Sequence, residues 1–272
     1  MGSPVEILLN EKTVEVADGL TLFQLRDRIK PEADVLIVDG FPCTADRPLR
    51  RGERVVLIRR GEQPSAGELE SLMVARHTPG VHERIKGSAV GIAGVGGLGS
   101  AVAIALARIG VGHLVIADFD VVEPSNLNRQ QYFIDQIGLP KVDALREILS
   151  RINPFVTVTA LQLRLTVENV PSLFAEVDVL VEAFDTADQK AMLTETFRSH
   201  FPDKPLVAAS GLAGFAPGNT VITRRVGAGF YLVGDGETAA GPGQGLMAPR
   251  VGIAACHQAN AVLRLLLGEE PA

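Results

Sequence analysis

The pattern of hydrophobic and polar positions predicts a small domain over residues 1–60. Four short segments have the alternating or apolar character of strands: residues 5–10, 12–16, 35–38 and 55–58. Between the second and the third, Thr21 is placed to N-cap a helix with apolar residues at helical spacing, and Pro31 ends that helix. The order of two strands, a helix and two strands is that of a β-grasp fold.

The polar, turn-rich composition at the start of residues 61–84 predicts a linker there, followed by a helix from about Ser65 to His77. Beyond them, over residues 85–272, apolar strand segments alternate with helical patterns. The clearest strands are residues 89–93, 113–117, 156–160, 179–182 and 206–209. Such alternation is typical of a mainly parallel, doubly wound sheet. We therefore expect an α/β protein with a Rossmann-like second domain behind the β-grasp domain.

Composition and charge exclude several classes of protein. The net charge is −6 and no basic run is present, which argues against a nucleic-acid partner. No apolar stretch is long enough to span a membrane, and the first residues lack a secretory pattern. With two cysteines, Cys43 and Cys256, neither a disulfide framework nor a four-cysteine zinc site is expected. A reducing cytoplasm is the expected location.

A glycine-rich loop follows the strand at residues 89–93 and leads into an alanine-rich helix. Its glycines are Gly94, Gly96, Gly97 and Gly99. Glycines let backbone amides approach a phosphate, and the helix N-terminus favours negative charge. About twenty residues on, Asp118 ends the next strand, where a carboxylate can bind ribose hydroxyls. The loop alone does not separate ATP from NAD, and a turn that merely packs a helix against a sheet would look the same.

The segment after Asp118 favours ATP. It contains Asp120, Asn126, Arg129 and Gln130, and Lys141 follows at a helix start. Adenylyl transfer needs fixed cations and donors around a triphosphate, whereas a dehydrogenase has no use for them at this place. We expect Asn126 and Arg129 to hold phosphate oxygens and Lys141 to reach the triphosphate as a point charge.

Seven stretches of the second domain form one recognisable set: residues 94–99, 118–120, 125–130, 138–142, 151–154, 178–185 and 246–252. In this order, over nearly all of residues 85–268, they resemble the adenylation domain shared by ThiF, MoeB and the ubiquitin-activating enzymes. Five stretches of the first domain are similar in turn to the ThiS sulfur carrier: residues 9–10, 14–16, 18–22, 38–40 and 49–55.

The resemblance implies an ATP- and Mg²⁺-dependent adenylyltransferase that activates the C-terminal Gly-Gly carboxylate of a small ubiquitin-like sulfur carrier. Thiamin thiazole synthesis is the favoured pathway, with molybdopterin and cysteine pathways as open alternatives. A separate sulfur donor protein and a homodimer are also expected. Asp118 would bind ribose, and Asp185 matches the position that holds Mg²⁺; its alternative role is to N-cap a helix over residues 186–199. Arg76 is the first candidate for an arginine on the γ-phosphate, and Arg84 the second.

Two departures from the family pattern keep alternatives open. The ThiS-like domain continues through residues 59–62 and so lacks a free Gly-Gly end, which makes it a docking or regulatory module. The region over residues 229–245, which corresponds to the family's crossover loop, has no cysteine for thioester chemistry. Its glycine-rich part, residues 234–245, covers the carrier's tail or is a plain flexible loop. Cys256 is expected to be a buried structural thiol rather than a nucleophile. A non-catalytic nucleotide-binding scaffold and an NAD-dependent oxidoreductase remain the rival functions.

Overall fold

The computed structural model describes residues 3–272 and divides into two compact units, one ending at His82 and one beginning at Glu83. Each unit has its own sheet. No helix among the described residues is long and apolar enough to cross a membrane.

The N-terminal unit has a five-stranded sheet in the order β2-β1-β5-β3-β4. Its elements are β1 (Val5–Leu9), β2 (Lys12–Val16), α1 (Leu22–Ile29), β3 (Val35–Val38), β4 (Phe41–Pro42), β5 (Arg54–Ile58) and α2 (Ala66–Met73). The β1–β5 pair is parallel, and the other pairs are antiparallel. Thr21 caps α1 through a capping box with Gln24, as its position in the sequence predicts. The two-residue strand β4 was not predicted.

Both faces of this sheet are covered by the unit's own chain. One face of β3 and β5 packs into the core that includes Leu22 and Leu25 of α1. Because side chains alternate along a strand, Ile37 and Val56 point to the other face. There they form a second buried cluster with Ala75, and Leu72 of α2 packs against it. The helix after the predicted linker therefore belongs to this unit's packing.

The C-terminal unit has a seven-stranded sheet in the order β11-β12-β10-β9-β6-β7-β8. The boundary between the units falls within α3 (Val81–Ile85). The other elements of this unit are β6 (Ala89–Ala93), α4 (Gly97–Ile109), β7 (His113–Asp118), α5 (Lys141–Ile152), β8 (Thr157–Gln162), α6 (Val170–Leu173), β9 (Val179–Glu182), α7 (Ala187–His200), β10 (Leu206–Ala209), β11 (Ile222–Gly227), β12 (Phe230–Gly234) and α8 (Ala248–Leu266). All pairs are parallel except β11–β12. The predicted doubly wound α/β class is confirmed.

The sequence prediction missed β11 and β12. β11 carries Arg224 and Arg225 at its centre and lies at the edge of the sheet, so it lacks the apolar run that marks a buried strand. β12 falls in the segment predicted to be a loop, and Tyr231 is a buried strand residue.

The strand order reverses next to β6, which has β9 on one side and β7 on the other. At such a point the connections leave toward opposite faces, and a crevice opens at the carboxyl ends of the strands. The helices α4 and α8 pack against each other beside this crevice. The topology thus directs attention to the loops after β6, β7 and β9.

Cys256 was predicted to be a buried thiol, and that prediction is wrong. Its side chain is exposed on α8, on the same helical face as Ile253 and Asn260. The buried face of this helix carries Val251, Ala255 and, among others, Gln258. An apolar composition alone does not tell which stripe of a helix faces the core.

Candidate functional site

A cavity of about 630 Å³ lies at the carboxyl edge of the large sheet. The loops after β6, β7, β8, β9 and β10 line it, together with parts of the segment between β12 and α8. This volume is in the range of small-molecule sites. The cavity is therefore the candidate functional site.

The glycine loop closes the cavity at the end of β6. Gly94 has φ +87°, a conformation that side chains disfavour. A Cβ on Gly99 would lie 1.9 Å from the Gly94 carbonyl oxygen, so the first turn of α4 approaches the loop more closely than any other residue allows. The glycines keep this backbone open to a ligand, with Gly94, Gly96 and Gly97 on the cavity wall.

Asp118 fixes the loop and still faces the cavity. One carboxylate oxygen accepts a hydrogen bond from the Val95 amide at 2.8 Å, and the other accepts one from the Asp120 amide at 2.9 Å. Each oxygen retains lone-pair capacity for a ligand hydroxyl. The buried Tyr132 hydroxyl donates to the Val95 carbonyl at 2.7 Å. Burial, with the nearby Asp118 charge, raises the pKa of Tyr132, so the hydroxyl stays a donor.

Lys141 and Arg129, two of the cations on the cavity lining, are in different states. The Lys141 ammonium, at the start of α5, lies 2.9 Å from the Asp120 carboxylate. The Arg129 guanidinium donates to the Ser125 carbonyl at 3.2 Å and the Asn128 side-chain oxygen at 2.8 Å. No acidic side chain between residues 3 and 272 pairs with it, so its charge is available to an anion.

Gln130 and Asp185 carry unused hydrogen-bonding capacity at the cavity. The Gln130 side-chain oxygen is buried without a partner. Asp185 is exposed and, within the described chain, makes no hydrogen bond or ion pair. The N-cap position of α7 is Thr186, so the alternative that Asp185 caps this helix is wrong. Across residues 3–272, no group of three or more His, Cys, Asp or Glu is placed to hold a metal.

An ion pair at the cavity wall, between the buried Glu182 and the partly exposed Lys190, was not found from the sequence. The Glu182 carboxylate, 1% exposed, lies 2.9 Å from the Lys190 ammonium. It also accepts the Phe184 amide at 2.7 Å, and Lys190 donates to the Ala209 carbonyl at 3.0 Å. Burial raises the pKa of Glu182, against the opposing effect of Lys190. The pair ties the ends of β9 and β10 to α7 and holds the turn that carries Asp185.

Residues 235–247, here called the strap, connect β12 to α8 along the cavity. Thr238, Ala239, Ala240 and Leu246 line it. Asp235 anchors the strap's start, 2.5 Å from the guanidinium of the buried Arg250. Burial opposes ionisation of Asp235, but hydrogen bonds from Thr238, Glu237 and Arg250 outweigh it and lower its pKa to about 2. The Gly245 carbonyl accepts the Gly214 amide at 2.8 Å.

Four predicted residues lie outside the cavity lining. Gly99 is buried behind the loop, and the buried Asn126 uses its side-chain oxygen to accept the Glu123 amide at 3.1 Å. Arg76 belongs to the N-terminal unit, and Arg84 donates to the Leu267 carbonyl at the end of α8. The lining does include the other predicted residues: Gly94, Gly96, Gly97, Asp118, Asp120, Arg129, Gln130, Lys141 and Asp185.

Comparisons with known proteins agree with this geometry. A model of the ThiF family matches residues 70–272, and one of ThiS-like ubiquitin matches residues 5–61. The molybdopterin-synthase adenylyltransferase of Escherichia coli (strain K12) is 37% identical over 194 residues, which are 68% of this chain and 76% of that protein. The adenylyltransferase and sulfurtransferase UBA4 of Kluyveromyces lactis is 28% identical over 267 residues, 95% of this chain; the match spans 56% of UBA4.

Among solved structures, the E. coli tRNA N6-threonylcarbamoyladenosine dehydratase in complex with AMP superposes with a TM-score of 0.67 at 21% identity. The alignment covers 76% of this chain and 98% of that one, and it shows the fold. The sheet order, the glycine loop and the family match over residues 70–272 lead to one conclusion. The chain belongs to the ThiF family of adenylyltransferase-like enzymes and carries a ThiS-like ubiquitin domain ahead of the family domain.

Proposed function

We propose that this protein transfers AMP from ATP to the C-terminal carboxylate of a small ubiquitin-like carrier protein. The observation that carries the proposal is the order of charges along one cavity. Asp118 ends β7 and has acceptor capacity left for ribose hydroxyls, and Arg129 lies in the loop after it. Asp185 lies in the loop after β9. Within the described residues, Arg129 has no acidic partner and Asp185 has no partner. A nucleoside triphosphate with a bound cation requires the same three groups in this order: an acceptor for the ribose, a positive charge for the phosphates and a carboxylate for the cation.

ATP fits the cavity on two counts. The glycine loop exposes backbone next to the N-terminus of α4, where phosphate is favoured. Among the described residues, the Gln130 side-chain oxygen has no hydrogen-bond partner and the Arg129 guanidinium has no acidic partner, so both have capacity for a ligand. The adenylyltransferase names of the molybdopterin-synthase and UBA4 relatives support the same nucleotide.

Asp185 is the residue proposed to hold Mg²⁺. Mg²⁺ prefers oxygen ligands and is commonly bound by one or two carboxylates together with substrate phosphates, so a lone carboxylate at this edge suffices. Bound there, the ion would neutralise charge on the phosphates during transfer. The Glu182–Lys190 pair would act on this ligand indirectly, because Glu182 holds the Phe184 amide one residue before Asp185.

The reaction needs no general base. A carrier carboxylate oxygen attacks the α-phosphorus of ATP, the bond from that phosphorus to the bridging oxygen breaks, and pyrophosphate leaves. The product is the carrier acyl adenylate, which a separate sulfur donor then attacks. The work of this chain is to align the carboxylate with the α-phosphate and to neutralise charge, through Arg129 and Lys141.

The strap is the proposed guide for the carrier's tail. Glycine is frequent on it, and Gly214 and Gly245 of the opposing backbones are hydrogen bonded. A narrow passage beside such a backbone would admit a Gly-Gly tail and reject branched residues. The expected carrier is ThiS-like, in thiamin thiazole synthesis, and we propose a homodimer in the cytoplasm.

A scaffold or sensor without turnover is the second candidate. It is favoured by the ThiS-like domain, which matches residues 5–61 and continues by a peptide bond, so that it has no carboxylate to activate. A tRNA-linked substrate, as the name of the tRNA threonylcarbamoyladenosine dehydratase relative would suggest, is disfavoured by the net charge of −6.

The test is ATP–pyrophosphate exchange by the full chain with Mg²⁺, with and without free carriers that end in Gly-Gly. We expect carrier-dependent exchange that falls at least about a hundredfold in Asp185→Asn. Asp188→Asn is the matched control, since Asp188 is an exposed carboxylate on the first turn of α7 and does not line the cavity. If the chain binds ATP but shows no exchange with either ThiS-like or molybdopterin-type carriers, the adenylyltransferase proposal is rejected in favour of the scaffold.

A further inference from the structure

Arg164 is a cation at the cavity edge that neither the motifs nor the proposed reaction uses. It follows β8, lines the cavity, and its guanidinium lies over the Phe119 ring, 4.2 Å from the ring centroid. Within the described residues its guanidinium has no hydrogen-bond acceptor or acidic partner. An exposed arginine held on a ring with its five donors unused is poised for a ligand.

Its place in the sheet separates Arg164 from the phosphate-binding groups. The order β9-β6-β7-β8 puts the end of β8 three strand spacings, roughly 14 Å, from the end of β9 that carries Asp185. The glycine loop lies after β6 and Asp118 ends β7, between these limits. A nucleotide with its phosphates toward Asp185 and its ribose at Asp118 therefore places its base over the end of β8.

The chemistry at that end suits a flat aromatic base. Leu163 and the buried Leu165 flank Arg164 on the lining, and Phe119 follows Asp118. Apolar side chains contact the faces of a base, while a guanidinium stacks on aromatic rings and donates to ring nitrogens at the base edge. We propose that Arg164, supported by Phe119, is the positioning residue for the nucleobase of ATP, an inference that rests on the proposed function.

The experiment compares AMP with ATP by displacement of a fluorescent ATP analogue from the full chain. Arg164→Met keeps the length and apolar contact of the side chain but removes its charge and donors. We expect it to weaken AMP and ATP binding by the same factor, about tenfold, since both share the base. Arg129→Met is expected to weaken ATP binding far more than AMP binding, because it acts on phosphates.

Arg108→Met, which removes an exposed arginine on α4 away from the cavity lining, is the matched control and should change neither affinity. Arg164→Lys should recover little, because an ammonium cannot stack as a plane. A loss confined to ATP would make Arg164 a phosphate ligand and overturn the inference, as would unchanged affinities in Arg164→Met. A wild-type chain that binds neither nucleotide would instead defeat the proposed function itself.

Discussion

The carboxylates at the edge of the large sheet differ in what they are free to do. Asp118 accepts two backbone amides, Asp120 holds Lys141, and Glu182 is buried against Lys190. Asp185 differs from these three because it makes no such contact in the part of the chain that the structure describes. Four carboxylates at or just after the ends of β7 and β9 thus have four roles: one anchors the glycine loop, one is the counter-ion of Lys141, one forms a structural ion pair, and one is left for a ligand.

The buried pair is predicted to contribute to stability as well as to position. Glu182→Gln leaves the Lys190 ammonium without its counter-charge beneath the cavity. We expect the free energy of unfolding to fall by about 2 kcal/mol, because hydrogen bonds to a charged group are lost while Lys190, 27% exposed, keeps partial access to water. Urea denaturation measures this. Glu195→Gln, an exposed carboxylate on α7, should stay within about 0.5 kcal/mol of wild type; an equal loss in both variants would contradict the prediction.

At the scale of elements, the contact between the glycine loop and α4 sets the geometry of the site. Gly99→Ala puts a methyl group 1.9 Å from the Gly94 carbonyl oxygen, so the helix must move away. We expect a loss of about 2 to 3 kcal/mol in stability and a larger loss in ATP affinity. Gly87→Ala, where a Cβ meets nothing within 4 Å, is the control for thermal unfolding and nucleotide binding. An unchanged ATP affinity in Gly99→Ala would show that the glycine loop is not part of the ATP site.

The strap depends on one charged anchor. Asp235→Asn removes the charge that Arg250 and the loop amides stabilise, and we expect a loss of about 2 kcal/mol near pH 7. Because folding lowers the pKa of Asp235 from 3.8 to about 2, the wild-type protein has the full stabilisation from this carboxylate above about pH 3.8. It loses that stabilisation as the pH falls toward 2. The difference between the two urea midpoints should therefore shrink below pH 4. A difference that is constant down to pH 2 would contradict the assignment.

For the whole molecule, the N-terminal unit is predicted to need α2. Ile37 is 1% exposed in the cluster that Ala75 completes and Leu72 contacts. Ile37→Ala should cost about 2 to 4 kcal/mol in a fragment of residues 1–82, because it opens a cavity there. In a fragment of residues 1–61 the same change should cost far less, since that face is already open to water. Calorimetry of wild type and Ile37→Ala in both fragment lengths measures these losses. Equal losses in the two lengths would mean that α2 does not stabilise the unit through this face.

Sequence reasoning reached what is encoded locally. The strand at residues 89–93, its glycines and Lys141 at a helix start are each marked by neighbours in the chain. The strap's anchor was not reached, since Asp235 and Arg250 meet only after β12 and α8 have packed. Glu182 and Lys190 could have been found, because an acid at the end of a buried strand requires a partner, and the next helix supplies a lysine. The exposure of Cys256 was readable from the spacing of Val251, Ala255 and Gln258.

The covered second face of the N-terminal sheet has a consequence for competition. Under the proposed function, the chain tethers a carrier-like module to an enzyme that acts on carriers, and a short tether gives an effective concentration in the millimolar range. If the face with Ile37 and Val56 were exposed, it would compete with a free carrier for any surface that recognises such modules. Because Leu72 and Ala75 cover that face, it is not open to such a surface, and under the proposed function a free carrier would not have to compete with it.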